Sequence, residues 1–406
     1  MASSGSVRGG ERISILYSFP HALGAPGIGW TAWNQVNELV RAGHEVHVVA
    51  ASIARPVAGV ASTTTSLSIA GRRVPHRVMG RDRALAWHDG VAARVVARRS
   101  PEVVHVWPLA ATRTIEAAGR RGIPAFREVP NTHTEHAYEV VARESARLGL
   151  TPRAGASHTA DPRRLATEKR EWATATALLV PSDAVAATFL ERGFDETRLR
   201  RHRYGCTPAA PVTRRAHDRP GLTAVFLGRV EPRKGLHHAL DAWIASTASD
   251  DGRLLVFGAV DDDYHALLAD RLDHPSVELR GVTPSPIDEL ASADVLLLPS
   301  LEEGSALVTY EAQVAGCVPL VSTASGALLD HDVHGLVHEP GDVATLTAQL
   351  DLLDADGATL GRLSAAAMAH APELSWAAAA QSLVAAYGHG RAAVAVPDEE
   401  LHADAA

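Results

Sequence analysis

Cysteine is nearly absent from this sequence: Cys206 and Cys317 are the only two among 406 residues. Two thiols cannot form a disulfide framework and are too few for a cysteine-based zinc site, so we expect a reducing, cytoplasmic compartment. Lysine is equally rare, with Lys169 and Lys234 alone among 39 basic residues. No uncharged apolar run reaches the length of about 18 residues that crosses a bilayer, and the small, polar start of the chain predicts no signal peptide.

Positive charge is also in deficit, with 39 basic against 47 acidic residues and a formal charge of −8. Without a basic block, we expect neither a nucleic-acid partner nor attachment to a membrane through a basic helix. Apolar residues make up 46% and charged residues 21%, as in an ordinary globular protein. At about 100 to 200 residues per domain, the length predicts two or three domains. The sequence gives no indication of the oligomeric state.

Short apolar runs alternate with longer amphipathic stretches, which predicts an α/β fold with doubly wound parallel sheets. The runs are nearly continuous in apolar residues, as in strands that are buried on both faces. We expect helices over 30–41 and 113–121, each followed closely by a glycine. The predicted strands span 13–17, 45–50, 103–107, 125–129 and 177–180 in the first half, and 224–227, 254–257, 277–279, 295–298 and 318–321 in the second.

Residues 206–221 contain three prolines and no apolar periodicity, which predicts an interdomain linker. We therefore expect one Rossmann-like domain over 1–205, a second over 222–390 and a frayed tail over 391–406. The last helix of the second domain is expected either to stay there or to cross back to the first. Two facing domains of this kind place the carboxyl ends of their strands around one interdomain cleft, where such folds bind ligands.

Two cations, Arg229 and Lys234, lie in the loop after the predicted strand 224–227, just before a helix that opens near Leu236. Free amides and the dipole at a helix start already favour an anion, so a phosphate or pyrophosphate would be stabilised twice. In a chain so poor in lysine, Lys234 suggests that a compact point charge is needed. The alternative is a solvated basic turn.

A second loop, after the predicted strand 295–298, places Glu303 just before a helix and Glu311 within it. The backbone amides of Gly304, Ser305 and Ala306 are suited to cradle a phosphate. The carboxylate of Glu311 is suited to accept hydrogen bonds from sugar hydroxyls. The alternative is that Glu303 serves the helix dipole and Glu311 is a solvated surface residue.

Together the two loops resemble the donor site of the retaining, nucleotide-sugar-dependent glycosyltransferases of family 4, which have the GT-B fold. The matching residues are Gly228-Arg229-x4-Lys234-Gly235, then Glu303-x7-Glu311 with Ala312, and Gly316-x-x-Pro319. Further matches are Gly27-Ile28-Gly29, Gly43-His44-Glu45-Val46, Pro181-Ser182-Asp183 and Tyr204-Gly205. The resemblance extends from about Ile13 to Tyr387.

This resemblance implies that the first domain binds the acceptor and the second binds the nucleotide sugar. By position, Arg229 and Lys234 would hold the donor diphosphate, Glu311 the ribose hydroxyls, and Glu303 the transferred sugar. His133, after the predicted strand 125–129, would point into the cleft beside that sugar.

Other positions are implied in the same way to line the substrate site. His136 is a weaker rival of His133. The remaining positions are Gly27 and Gly29 in the first domain, and Gly304, Ser305, Ala306 and Leu307 in the second.

The sequence departs from the family pattern in the glutamate loop, which usually reads Glu-Gly-aromatic-Gly but here has Ser305 and Ala306 after the first glycine. The identity of the donor therefore stays open. The acidic run 261–263 is compatible with a divalent-cation site, but it opens a predicted helix, where carboxylates are favoured by the dipole. We expect no metal site there, and we expect His237 and His238 to lie on an exposed helix face.

The resemblance thus predicts a metal-independent, retaining transferase that moves a hexose-like sugar from a nucleotide sugar to a small soluble acceptor, with no other cofactor. The arginine-rich, lysine-poor composition suggests a GC-rich bacterial genome, where such enzymes often decorate secondary metabolites. Two alternatives remain: a sugar-nucleotide 2-epimerase on the same fold, and a non-catalytic subunit that binds a sugar nucleotide.

Overall fold

The computed structural model describes residues 12–69, 72–73, 79–152, 158–207 and 221–394. Within these ranges the chain folds into two lobes, each built on a parallel sheet. The strands are β1 (Ser14–Leu23), β2 (Glu45–Ile53), β3 (Ser62–Thr65), β4 (Ser68–Ile69), β5 (Arg72–Arg73), β6 (Val103–Val106), β7 (Ala125–Glu128), β8 (Ala177–Val180), β9 (Leu199–Arg201), β10 (Thr223–Leu227), β11 (Arg253–Phe257), β12 (Val277–Gly281), β13 (Val295–Leu298), β14 (Val318–Ser322) and β15 (Leu336–His338).

Helices connect most of these strands, and no helix within the described ranges is long and apolar enough to span a bilayer. They are α1 (Ile28–Arg41), α2 (Arg81–Arg99), α3 (Thr112–Gly119), α4 (Thr134–Arg147), α5 (Pro162–Thr174), α6 (Asp183–Leu190), α7 (Leu236–Ala245), α8 (Ala248–Asp251), α9 (Asp262–Leu267), α10 (Ala269–Leu272), α11 (Pro286–Ala291), α12 (Leu307–Ala315), α13 (Val343–Ala355), α14 (Gly357–Ala369) and α15 (Trp376–Val394).

The sheet of the N-terminal lobe has the strand order β3-β2-β1-β6-β7-β8-β9, and that of the C-terminal lobe has β12-β11-β10-β13-β14-β15. Both orders reverse at the first strand of the sheet, so β1 lies between β2 and β6, and β10 between β11 and β13. Loops that leave on opposite sides of such a reversal open a crevice at the carboxyl ends of the strands. The predicted fold class of two doubly wound α/β lobes is confirmed.

Each sheet is buried on both faces because neighbouring residues along a strand enter different apolar clusters. In β10, Ala224 and Phe226 pack with Trp243 of α7 on one face. Val225, between them, packs with Ala312 of α12 on the other face. This two-sided burial is why the central strands are continuous apolar runs in the sequence.

The strands that the sequence pattern missed in the two parallel sheets lie at their edges. β3 and β9 close the N-terminal sheet, and β15 closes one side of the C-terminal sheet. They are three or four residues long, and β3 reads Ser-Thr-Thr-Thr. Because an edge strand has a neighbour on only one side, it does not need a continuous apolar run.

The last helix, α15, crosses from the C-terminal lobe to the N-terminal lobe. Leu383, Ala386 and Tyr387 are buried in the apolar cluster between β1 and α1. The Tyr387 hydroxyl also lies 2.6 Å from Nδ1 of His105 on β6. The helix reaches Val394, so the tail predicted from 391 begins too early. Residues 395–406 of that tail, and 208–220 of the predicted linker, lie outside the described residues.

A buried carboxylate, Glu128 at the end of β7, fixes the segment that leaves the N-terminal lobe. Its oxygens lie 3.2 Å from Nε2 of His105 and 2.9 Å from Nε2 of His202, and the Tyr204 hydroxyl donates to it over 2.8 Å. Burial alone would raise the pKa of Glu128, but His202 and His105 outweigh it and hold the pKa below its ordinary value. Tyr204, just before the predicted linker, is thereby tied to the sheet.

Truncation of Tyr387 tests the crossing of α15. We expect Tyr387→Ala to lower the free energy of unfolding by about 3–5 kcal/mol, because it opens a cavity in the N-terminal core. Leu352→Ala, at a 45% exposed position of α13, is the control and should change it by less than about 0.5 kcal/mol. Guanidinium unfolding followed by tryptophan fluorescence measures both, and equal effects of the two variants would contradict the packing described here.

Candidate active site

The candidate active site lies at the carboxyl ends of β10 and β13, the neighbouring strands at the reversal of the C-terminal sheet. The loops that follow these strands are in close contact. Gly235 has a φ of 72°, and a Cβ there would lie 2.2 Å from the carbonyl oxygen of Pro299. The Leu301 amide donates to the carbonyl oxygen of Arg233 over 2.8 Å. This packing brings the charged side chains of the two loops together.

Lys234 and Glu303, which the sequence places in separate motifs, form an ion pair. The lysine side chain is 14% exposed. Burial, followed by the neighbouring charge of Arg233, lowers the pKa of Lys234 to about 7. A polyanion beside this amine would favour its charged form and raise its pKa again. The fraction of Lys234 that is charged would therefore rise when an anionic ligand binds beside it.

Arg229 lies in the same loop but on the surface. Its side chain is 70% exposed, and its guanidinium is 4.0 Å from a carboxylate oxygen of Glu231. A surface pair at this distance contributes little in water, so the guanidinium can turn to an incoming anion at small cost.

Arg233, which the sequence analysis did not single out, is the enclosed guanidinium of this loop. One of its nitrogens donates to the backbone carbonyl of Glu302 over 2.7 Å and lies 3.3 Å from carboxylate oxygens of both Glu302 and Glu303. A second nitrogen donates to Glu231 over 2.8 Å. We call Arg233, Lys234, Glu302 and Glu303 the charge cluster. In the sequence Arg233 is one basic residue in a basic turn, and only the packing of the loops distinguishes it.

The predicted phosphate cradle is only partly available. The Ala306 amide donates to the carbonyl oxygen of Ser325 over 3.1 Å, so the expectation that this amide faces a phosphate is wrong. The amides of Gly304 and Ser305 donate to no other residue in the described ranges. The Ser305 hydroxyl lies 2.7 Å from the hydroxyl of Tyr310. Two of the three predicted amide donors thus remain for a ligand.

Glu311 lies within α12, which begins at Leu307. The Leu307 side chain packs against an apolar cluster that includes Tyr310 and Trp376. Burial raises the pKa of Glu311 to about 7, and no residue in the described part of the chain donates a hydrogen bond to its carboxylate. A sheltered carboxylate without donors is costly to ionise. Hydroxyl groups of a ligand would therefore stabilise its ionised form.

Gly27 and Gly29 lie at the corresponding place in the N-terminal lobe, between β1 and α1. Gly27 precedes the helix with a φ of 76°. A Cβ on the buried Gly29 would lie 2.5 Å from the carbonyl oxygen of Ala22. The positive φ of the first and the close approach at the second both favour glycine in the turn between β1 and α1.

His133 does not face the cleft, contrary to expectation. It caps α4, where its Nδ1 accepts a hydrogen bond from the amide of Glu135 over 3.3 Å. The ring is 2% exposed, and its centre lies 4.7 Å from that of Trp172 and 4.9 Å from that of Phe189. Burial, followed by the charge of Arg192, lowers the pKa of His133 to about 4. The side chain belongs to an aromatic cluster of the N-terminal lobe.

His136, the weaker candidate, lies within α4 and is half-buried. Burial, followed by Arg192, lowers its pKa, and the charge of Glu302 in the opposite lobe partly offsets this lowering. His136 is therefore near enough to the facing lobe for the charge of Glu302 to act on it.

Glu302 connects the two lobes, and the sequence analysis did not identify it. Its side chain is 0% exposed. Its Oε1 accepts hydrogen bonds from the Thr132 hydroxyl over 2.5 Å and from the Thr132 amide over 3.3 Å. Its Oε2 lies 3.9 Å from Nε2 of His158. Burial alone would raise the pKa of Glu302, but His158 and Arg233 lower it below the ordinary value.

The acidic run 261–263 serves a helix start, as expected. Asp261 is the N-cap of α9 and accepts a hydrogen bond from the amide of Tyr264, while Asp262 and Asp263 lie in the first turn. Carboxylates at these positions are stabilised by the helix dipole, so the run needs no metal ion to explain it.

His237 and His238 are buried rather than exposed. The His237 ring lies against the Tyr264 hydroxyl of its own lobe and Glu144 of the opposite lobe, and the His238 ring lies beside Gly341 of its own lobe. Nε2 of His237 lies 2.8 Å from Oε1 of Glu144. His237, His238 and Glu144 form the one group in the described ranges that is close enough to share a metal ion. The Arg147 guanidinium donates to the same Glu144 oxygen over 2.6 Å, and this cation opposes a second positive charge there.

Comparison with known proteins gives matches over both lobes. Residues 26–203 match the profile described as Glycosyltransferase Family 4, and residues 221–356 match that described as Glycosyl transferases group 1. A D-inositol 3-phosphate glycosyltransferase of Frankia alni is 29% identical over 66% of this chain and 70% of its own length. Another, of Corynebacterium diphtheriae, is 32% identical over 40% of this chain. The match spans 41% of that relative's length.

Solved structures with the same architecture cover nearly the whole chain. Sucrose-phosphate synthase from Thermosynechococcus elongatus has a TM-score of 0.67 at 19% identity, covering 94% of this chain and 100% of its own. Anabaena HepE, solved in complex with UDP-glucose, has a TM-score of 0.63 at 14% identity, covering 93% of this chain and 100% of its own. Likeness at this level of identity shows the fold. With profile matches in both lobes, the chain belongs to glycosyltransferase family 4 and has the GT-B fold.

Proposed function

We propose that this protein transfers a sugar from a nucleoside-diphosphate sugar to a small acceptor, with retention of the anomeric configuration. The observation that carries the proposal is the contact of Lys234 with Glu303 at the strand reversal of the C-terminal lobe. A nucleotide sugar presents a diphosphate and a polyhydroxyl ring side by side, and this pair offers a cation for the first and a carboxylate for the second. The complex of Anabaena HepE with UDP-glucose supports the same class of donor.

Cleavage of the bond between the sugar and the diphosphate leaves negative charge on the departing phosphate. Lys234, Arg229 and the amides of Gly304 and Ser305 would bind this developing charge more tightly in the transition state than in the ground state, which accelerates the step. When the diphosphate takes over Lys234, Glu303 is released to bind the sugar hydroxyls. The anomeric carbon becomes positively charged in the transition state, and a nearby carboxylate stabilises that charge as well.

Glu311 would bind the ribose of the donor. The Glu311 carboxylate is sheltered and accepts no hydrogen bond from the described residues. The two vicinal hydroxyls of a ribose could donate the missing hydrogen bonds. This gives the ribose, the diphosphate and the sugar of the donor a partner each in the C-terminal lobe.

The acceptor would enter from the N-terminal lobe. A cavity of about 510 Å³ opens there beside the end of β6, and Arg81, Arg163 and Arg164 contribute to its wall. Three carboxylates share this wall: Asp89 accepts from the amides that open α3, Asp161 caps α5, and Asp82 lies in the first turn of α2. The cavity is thus lined by charged groups of both signs and suits a small, polar acceptor. The inositol phosphate in the names of the curated relatives is a molecule of that kind.

Donor and acceptor are identified in two steps. Thermal unfolding with UDP, GDP, ADP or dTDP selects the base, since a ligand at 100 times its dissociation constant stabilises by about 2.7 kcal/mol. The matching nucleotide sugars are then offered with inositol 3-phosphate, hexose phosphates and their unphosphorylated forms.

NMR of the product reports whether the anomeric configuration is retained, and activity that survives EDTA supports independence of a metal ion. Epimer formation from the nucleotide sugar alone would favour an epimerase instead.

Removal of Lys234 tests the donor site. We expect Lys234→Ala to lower kcat roughly a hundredfold, since loss of a preorganised group that binds the developing charge costs about 3 kcal/mol. The control is the only other lysine, Lys169, which is 51% exposed and pairs with Glu135. Lys169→Ala should stay within about twofold of wild type because exposed pairs contribute little. A Lys234→Ala enzyme within threefold of wild type would refute the assignment.

The pKa values of Lys234 and Glu311, both about 7, predict a bell-shaped pH dependence of nucleotide-sugar binding. The lowered pKa leaves Lys234 charged below pH 7, so its attraction for the diphosphate is lost as the pH rises. The raised pKa leaves Glu311 ionised only above pH 7, so its capacity to accept ribose hydroxyls is lost as the pH falls. Affinity should peak near pH 7 and fall by up to about tenfold per unit on either side.

Two variants separate the limbs of this profile in titration calorimetry from pH 5.5 to 8.5. Lys234→Arg keeps its charge at every pH in this range and should abolish the alkaline limb. Glu311→Gln cannot ionise and should abolish the acidic limb. A wild-type affinity that is independent of pH would show that neither group contacts the donor.

A further inference from the structure

The loop that carries Glu303 is held by the N-terminal lobe as well as by its own. A Cβ on Gly304 would lie 1.8 Å from the carbonyl oxygen of Pro130, so the backbones of the two lobes touch at this point. The Ser182 hydroxyl, at the start of α6, donates to the carbonyl oxygen of Gly304 over 2.6 Å. Both contacts fall on the residue directly after Glu303, and they are lost when the lobes separate.

Glu302, directly before Glu303, makes the charged part of the same interface. Thr132 contributes its hydroxyl and its amide to Oε1, and His158 lies beside Oε2; both residues belong to the N-terminal lobe. Among the described residues of the C-terminal lobe, Arg233 is the one whose side chain pairs with this carboxylate. Most of the partners of this enclosed carboxylate are therefore present only while the lobes are together.

We infer that Glu302 is a positioning residue that couples closure of the two lobes to the placement of Glu303, with Thr132 as its main contact in the opposite lobe. This inference rests on the proposed function for its catalytic consequence. When the lobes close, Glu302 docks on Thr132 and Gly304 docks on Pro130, so Glu303 is fixed from both sides. When they open, Glu302 keeps only Arg233, and the loop loses its support from the N-terminal lobe.

This arrangement links the chemical step to a closed cleft. A donor bound to the C-terminal lobe alone would meet a loop that has lost its support from the N-terminal lobe, and transfer would wait for that lobe and the acceptor. Closure that completes the catalytic group also excludes water, which would otherwise hydrolyse the donor. Glu302 takes no part in bond making; it acts through the position of its neighbour.

Removal of the Thr132 hydroxyl is the test. Thr132→Val keeps the size of the side chain but removes a hydrogen bond to a charged, buried acceptor. In the ligand-free protein, we expect amide hydrogen exchange over residues 299–306 of the opposite lobe to become roughly tenfold faster, the loss expected for one such bond. Thr132→Ser keeps the hydroxyl and should restore slow exchange.

Thr134→Val is the matched control, because Thr134 is buried and its hydroxyl donates to the carboxylate of Glu168 within the N-terminal lobe. It removes the same kind of bond two residues away, so exchange over 299–306 should stay as in wild type. Faster exchange in both variants would show a general loosening and overturn the inference, as would unchanged exchange in Thr132→Val.

Kinetics extend the test to the reaction. In Thr132→Val we expect kcat for transfer to fall roughly tenfold, the KM for the nucleotide sugar to stay within threefold, and donor hydrolysis to rise relative to transfer. A rise in KM with unchanged kcat would mean that Thr132 affects donor binding, and it would contradict a positioning role. If no nucleotide stabilises the wild-type protein, the proposed function fails, while the exchange experiment still decides whether Glu302 couples the lobes.

Discussion

The charge cluster of Arg233, Lys234, Glu302 and Glu303 is the interaction on which the site depends. Two cations and two carboxylates are withdrawn from water together, and their pairing offsets the cost of desolvation that each would carry alone. A diphosphate that enters this group, where Glu231 also pairs with Arg233, brings further negative charge. In the proposed function that charge is accommodated when the ligand displaces Glu303 from Lys234, so the internal ion pair occupies the place that the donor would take over.

The segment that joins the lobes is also held by contacts with both of them. Tyr204 donates to Glu128 in the N-terminal sheet and packs with Tyr310 of α12 and Trp376 of α15. α12 also carries Glu311, so the helix proposed to bind the ribose is anchored to the segment about which the lobes would move. The proposed closure of the cleft and the proposed donor site would thereby be connected through packed side chains at the joint as well as through Glu302 at the opening.

The sequence predicted what depends on local pattern. The central strands are buried on both faces, so they stand out in the sequence as apolar runs. Lys234 and Glu303 lie in the loops that follow two of these strands, where the sequence could place them. Arg233 and Glu302 did not stand out, because each adjoins a residue of like charge and gains its role only from contacts across loops or lobes. His133 was placed correctly after a strand, but the direction of its side chain depends on the capping bond to Glu135 and on the aromatic rings behind it. His237 pairs with Glu144 of the other lobe and lies against Tyr264 of its own, contacts that no helical pattern reveals.

The adjacent glutamates show how one short loop can serve two purposes. Their carboxylates have different partners: Glu302 is bound by Thr132 in the N-terminal lobe and Glu303 by Lys234 in its own. Because a single peptide unit joins them, a shift of one is transmitted to the other with little freedom between them. A longer, flexible spacing would let each carboxylate move alone. Direct adjacency therefore makes the interlobe contact and the carboxylate proposed to bind the sugar one mechanical unit, and Gly304 supplies the close backbone approach that this unit needs.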